Sequence, residues 1–260
     1  MTRQFLLFRL AGPMAAWGDV TVGERRSIWG EPSKSGVLGF VAAALGLPRE
    51  DSPAHQSLHE ALGYAVRIDQ LGRPLRDYHT AQAPKARSKL SWRTRRDELS
   101  DRQNLNTVLS ERQYRVEAQA TVAFWQKSEG VFLDTLQAAL GKPRFAPYLG
   151  RRGCPLSEPV WARILTAEGL MAAFDAYDVQ RQDAEAAADT GLRATKVQPG
   201  VPVWFELDAG LDSEEQNLLL SRQRRDGLRD RALRIFADRR EGRLTWRPAA
   251  PVDPLEGILA

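Results

Sequence analysis

The chain has 260 residues, with 37 Lys and Arg against 33 Asp and Glu, so a net charge of +4 by itself says little about a polyanionic partner. Hydrophobic residues make up 43% and charged residues 27%, which excludes wholesale disorder and predicts a folded protein with a sizeable core. A single cysteine, Cys154, excludes an internal disulfide and fits a reducing compartment.

The first predicted element is a short buried strand over Phe5 to Leu10, ended by Ala11-Gly12-Pro13. Arg9 interrupts its apolar run, which is too short for a signal segment, and no stretch approaches eighteen apolar residues, so the expected location is the cytoplasm. A loop with Met14 and Trp17-Gly18 follows, then a polar stretch with Arg25, Arg26 and Lys34. Ser35 is the expected N-cap of a helix over Val37 to Leu47, where Gly36 and Gly39 permit close approach of another backbone or a sheet. Ala54 to Leu62 predicts a second helix. Tyr64 to Asp69 alternates as a half-buried strand, and Leu71-Gly72-Arg73-Pro74 turns the chain.

Tyr114 to Val122 alternates again, Val131 to Leu140 is amphipathic at helical spacing, and Val160 to Leu165 is the expected last strand. The order β, α, β, β, α, β predicts an α+β chain with a ferredoxin-like domain over residues 1–165, the pattern RNA-recognition domains share. Leu75 to Arg115 is too long for a hairpin loop and predicts a projecting functional arm. Residues 166–260 predict a smaller C-terminal domain, with a helix over Leu170 to Tyr177, a strand over Val201 to Leu207 and a Pro-rich tail. Glu214 to Arg240 is charged. Nine arginines lie from Arg222 to Arg243, and Asp226, Asp230, Asp238 and Glu241 stand among them at spacings suited to intrahelical pairs, so a solvated helix is expected there.

The most informative stretch runs from Pro84 to Arg96. Lys85, Arg87, Lys89, Arg93, Arg95 and Arg96 occur there without an acidic residue, and Trp92 lies among them. Cations suit backbone phosphates and an aromatic face suits an unstacked base, whereas a merely solvated basic loop would leave the long insertion unexplained. Six cations on single-stranded phosphates would give a log–log salt slope of roughly −4. The loop Pro143 to Gly153 combines prolines, glycines, Phe145, Tyr148, Arg144, Arg151 and Arg152, which fits either close phosphate approach or a rigid surface turn.

Enzymatic patterns are sparse. His55 and His59 have helical ligand spacing but no third ligand, Gly30 to Ser35 lacks the glycine that a phosphate loop needs before its lysine, and no nucleophile elbow is present. No metal and no cofactor are expected. Tyr78-His79 with Lys85 form the one catalytic candidate, since a histidine can take a 2′-hydroxyl proton while a lysine stabilises the phosphorane; the same residues can equally stack on bases.

Four motifs in consistent order, Gly12 to Gly18, Pro32 to Gly39, Leu75 to Thr80 and Lys142 to Leu156, resemble the CasD family of type I-E CRISPR Cascade subunits over residues 3 to about 160. Beyond residue 165 the resemblance fades to fragments such as Arg234 to Arg239. The resemblance implies a ferredoxin-like domain with a β-hairpin thumb, here Leu75 to Arg115, and a Gly-rich loop next to Arg144 to Gly153. It implies a non-catalytic subunit that caps the 5′ handle of the CRISPR RNA, sits against the first backbone subunit and the large subunit, and meets target DNA through the complex. The related type I-C subunit processes precursor RNA, which keeps the Tyr78, His79 and Lys85 alternative in view. The expected RNA contacts are Arg25, Arg26, Lys34, Ser35, Arg76, Tyr78, His79, Lys85, Arg87, Lys89, Trp92, Arg93, Arg95, Arg96, Tyr148, Arg151 and Arg152.

Overall fold

The computed structural model describes residues 2–19, 21, 23–85, 91–128, 131–188 and 196–248. In chain order these form β1 (Arg3–Ala11), β2 (Met14–Ala15), β3 (Arg25–Arg26), α1 (Lys34–Leu45), α2 (Ser52–Ala61), β4 (Leu62–Gln70), β5 (Arg73–Pro84), α3 (Arg95–Glu98), β6 (Leu105–Val116), β7 (Gln119–Gln126) and α4 (Leu133–Gly141). After these come β8 (Arg163–Ala167), α5 (Leu170–Ala188), β9 (Val201–Glu206), α6 (Asp212–Glu215), β10 (Leu220–Asp230) and β11 (Ile235–Trp246). No helix among the described residues is long and apolar enough to cross a membrane.

Seven strands make one antiparallel sheet in the order β10-β11-β9-β4-β7-β1-β8. Strand β1 is buried on both faces, which is why its sequence reads as a continuous apolar run rather than an alternation. Its successive side chains serve two cores: Leu6, Phe8 and Leu10 pack with α1, α2 and α4, while Phe5 and Leu7 pack with α5. Helices therefore cover both faces. The segment after residue 166, expected as a smaller C-terminal domain, adds β9 to β4 by the register Ala65 to Phe205, so its strands extend the same sheet.

Several local expectations are corrected. The N-cap of α1 is Ser33, whose hydroxyl accepts from the Gly36 amide at 3.1 Å, and the helix begins three residues earlier than expected. The strand expected from Tyr114 to Val122 is two strands, because Glu117 takes a left-handed φ of 60° and passes the chain from β6 into β7. The expected solvated helix from Arg222 to Arg243 is the β10–β11 hairpin. Its charges pair across strands rather than along a helix: Arg222 lies opposite Glu241 and donates to it, and Arg239 is bound to Asp226. Arg224, Asp226, Arg239 and Glu241 are consequently buried.

The insertion between the middle strands is a ribbon of β5 and β6 with twelve paired positions, about 40 Å long at the usual rise per residue. β2 and β3 pair with β6 on its other edge and root the ribbon in the domain.

Candidate nucleic-acid interface

Where the ribbon root, the start of α1, the Pro143 to Gly153 loop and β10–β11 converge lies a concavity of about 540 Å³. Six arginines line it: Arg26, Arg151, Arg224, Arg225, Arg231 and Arg234. Trp17, Trp29 and Phe236 add aromatic surface, and Ser33, Ser35 and Gly36 bring the first turn of α1 to its wall.

Local sequence explains the walls. Gly150 sits at φ +85°, and a Cβ there would lie 2.1 Å from the Ala16 carbonyl oxygen, so the loop can close on Ala16 only with glycine. The Ala16 amide donates to the Leu149 carbonyl at 2.9 Å. Arg151 donates to the Gln113 carbonyl at 3.0 Å and covers the Tyr114 ring at 4.7 Å, which bolts the loop to the ribbon root. Trp29 hydrogen-bonds through its amide to the Trp17 carbonyl at 2.8 Å and backs the guanidiniums of Arg222 and Arg224.

The arginines fall into two classes. Arg224 is buried and faces Glu31, and Arg151 is held as described, so these two shape the wall. Arg26, Arg225, Arg231 and Arg234 form no ion pair among the described residues and leave four guanidiniums for a ligand. A groove of unpaired guanidiniums with aromatic faces binds phosphates and stacks bases.

The predicted contacts do not form one site. Arg26, Ser35 and Arg151 line the concavity. Arg76 and Tyr78 lie on the ribbon and Arg25 on β3 at its edge, where Arg25 and Arg76 each approach the Glu111 carboxylate at 3.8 Å. Both arginine side chains are largely exposed, so these pairs are weak enough to exchange for phosphates. Lys85, exposed Trp92, Arg93, Arg95 and Arg96 stand at the ribbon tip, where Arg95 is engaged by Glu98 at 2.6 Å. Pro84 pairs with Leu105, six residues beyond Glu111, so the tip is about 20 Å further out. Tyr148 and Arg152 are exposed on the loop beside the concavity. Arg87 and Lys89 lie outside the described residues.

Lys34 is a correction. Expected at the RNA surface, it is fully buried, and its ammonium donates to the carbonyls of His59 at 2.9 Å and Leu62 at 2.7 Å and to Glu206 at 2.6 Å. With all three protons placed, it has none for a phosphate. Burial pulls the ammonium down to about 8, which leaves it charged at neutral pH. Burial pushes the Glu206 carboxyl up, but Lys34 and Lys127 outweigh that and hold it below the usual range. The pair is therefore ionic.

The two α2 histidines also have structural partners. His55 Nε2 is 3.1 Å from the Pro48 carbonyl, and His59 Nε2 accepts from the Leu228 amide at 3.3 Å. Among the described residues no group of three His, Cys, Asp or Glu could hold a metal.

The residues missed at sequence level are Arg225, Arg231, Arg234 and Phe236. Their signal was the arginine run itself, read with helical spacing when a period of two, with exposed Gln223 and Arg225 alternating with buried Arg224 and Asp226, describes it better.

A family model described as CRISPR-associated protein Cas5 matches residues 5–242. CRISPR system Cascade subunit CasD of Escherichia coli (strain K12) is 36% identical over 168 residues, covering 61% of this chain and 70% of that protein. A chain of a CRISPR RNA-guided surveillance complex shares the fold with a TM-score of 0.59 at 23% identity, covering 97% of this chain and 96% of its own. A crystal structure of a Cas protein matches with a TM-score of 0.57 at 26% identity, over 95% of this chain and 99% of that one.

Proposed function

This chain belongs to the CRISPR-associated Cas5 family, and from that premise we propose that it is a non-catalytic RNA-binding subunit of a Cascade-type surveillance complex that holds the 5′ handle of the CRISPR RNA. The observation that carries this reading is the concavity with four unpaired guanidiniums beside Trp17, Trp29 and Phe236. Phosphate contacts there fix one end of the guide, and target sequence is read by base pairing. The similarity to a Cascade subunit supports membership of such an assembly; in it we propose contacts with a backbone subunit and the large subunit, with target DNA met through the assembly in the cytoplasm. The order β8-β1-β7-β4 within the main sheet, with α1 and α4 as crossovers, supports a ferredoxin-like reading of the first 165 residues.

The alternative, cleavage of precursor RNA by Tyr78, His79 and Lys85, meets a geometric obstacle. Neighbours on a strand point to opposite faces, so Tyr78 and His79 diverge, and Lys85 stands six residues on, about 20 Å along the ribbon. His79 retains one feature of a base, an Asp77 carboxylate 3.2 Å from Nδ1.

The test of binding is a salt titration of single-stranded handle RNA on the purified chain. Arg26→Gln and Arg225→Gln should each lower affinity and reduce the log–log slope by about 0.7. Unchanged affinity and slope in both variants would refute the assignment of the concavity.

A further inference from the structure

The Trp29 indole borders the concavity from a stretch with little regular structure of its own. Between Ala16 and Ser33 the described residues hold only the two-residue strand β3 and one bridge, Gly18 to Ile28. The Trp29 amide is tied to the Trp17 carbonyl, but the half-buried ring packs on the C-terminal hairpin, where the Arg222 guanidinium of β10 lies 4.8 Å from its centre. The same guanidinium lies 3.6 Å from the Trp204 ring centre of β9. At its edge it donates to Glu241 of β11 at 2.6 Å and to the Glu31 carboxylate, two residues beyond Trp29. One side chain thus ties the loop before α1 to β9 and β11.

Only arginine suits this position. Its planar fork meets two carboxylates while its faces cover indole rings, whereas the single ammonium of a lysine cannot do both. Arg222 is not among the residues lining the concavity, so its charge is spent on the tie. We propose that Arg222 is a positioning residue: it holds Trp29 in the wall of the concavity, where the indole can stack on a base, and does not itself touch the ligand. The tie stands on its own geometry, and its service to RNA rests on the function proposed above.

Arg222→Met removes the fork and keeps an apolar stem over Trp204. It leaves neither carboxylate without a cation, because Glu241 retains Arg239 at 2.8 Å and Glu31 retains Arg224. Trp29→Leu removes the ring that the tie positions. Both variants and the double variant are titrated with single-stranded handle RNA across a range of salt, on the full chain. Fluorine NMR of the same proteins labelled with fluorotryptophan reports on the ring directly, the Trp29 line being the one lost in Trp29→Leu.

Arg222→Met should lower RNA affinity roughly fivefold, the low end of what one stacked base contributes, with the log–log salt slope unchanged. The Trp29 line should shift in that variant, since the cation leaves its face. In the Trp29→Leu background Arg222→Met should cost no further affinity, a non-additivity that a general loss of stability would not produce. Additive losses, an unchanged affinity, or a slope reduced by about 0.7 would each overturn the positioning role, the last because Arg222 would then meet a phosphate itself. An unmoved Trp29 line in Arg222→Met would overturn the tie whatever the RNA result. If wild type bound no RNA while the line still moved, the RNA reading would fail and the tie would stand.

Discussion

Replacing Lys34 by methionine distinguishes a structural cation from an RNA contact. The substitution keeps the unbranched apolar stem of the side chain and removes the ammonium that links the His59 and Leu62 carbonyls to Glu206 at 2.6–2.9 Å. Breaking a buried pair from one side costs about 3–5 kcal/mol, because the remaining charge stays buried and unpaired. Here Glu206 keeps Lys127 at 2.9 Å, which places the expected loss near the lower end, at about 3 kcal/mol. Against a total of about 5–15 kcal/mol that is a large fraction, readable as a lower urea midpoint with an unchanged slope. Adding Glu206→Gln should restore part of the loss, since the carboxylate left with Lys127 alone is then replaced by a neutral amide. The salt slope of RNA binding, measured where the variant is folded, should not move. A variant with wild-type stability and a slope smaller by about 0.7 would show that Lys34 meets phosphate and that the clasp is misread.

Two further outcomes test other parts of the structure. Burial, aided by the Lys34 ammonium, lowers His59 to about 4, while the unfolded chain protonates it near the ordinary value of 6.5. Between these values the unfolded state binds the extra proton, so stability should fall as pH drops from about 6.5 to 4, by roughly 2 kcal/mol after allowance for partial exposure. His59→Gln, measured by urea unfolding across that window, should flatten the dependence; an equally steep profile would exclude His59 as its source. For cleavage, labelled repeat RNA incubated with the chain in EDTA should remain intact. Products with 2′,3′-cyclic ends that vanish in His79→Ala would establish the nuclease alternative.

Much of the scaffold was legible because its signals are local. The apolar run of β1 and the helical periodicity of α4 each require only a few neighbouring residues, and the long insertion announced the ribbon by its length, whereas the strand over Tyr64 to Asp69, expected to be half-buried, is covered on both faces. The Asp77-Tyr78-His79 motif was equally visible, but its geometry was not, because strand pairing decides which side chains share a face. The β10–β11 hairpin was read as a helix for a related reason. Acidic residues among the arginines suit intrahelical pairs in the sequence alone, whereas the actual partners lie across the hairpin or in the distant loop before α1.

Sequence by itself determined that this is a folded α+β chain with a basic arm and CasD-like motifs in register, since hydrophobic periodicity and short motifs are properties of contiguous residues. Tertiary structure decided which cations are available. Lys34 is neutralised by Glu206, 172 residues away, and Arg224 faces Glu31 across 193 residues, while Arg231 and Arg234 form no ion pair among the described residues. The physical reason is that a buried charge must be paired, and the partner that pairs it is chosen by the packing of distant strands rather than by its neighbours in the chain.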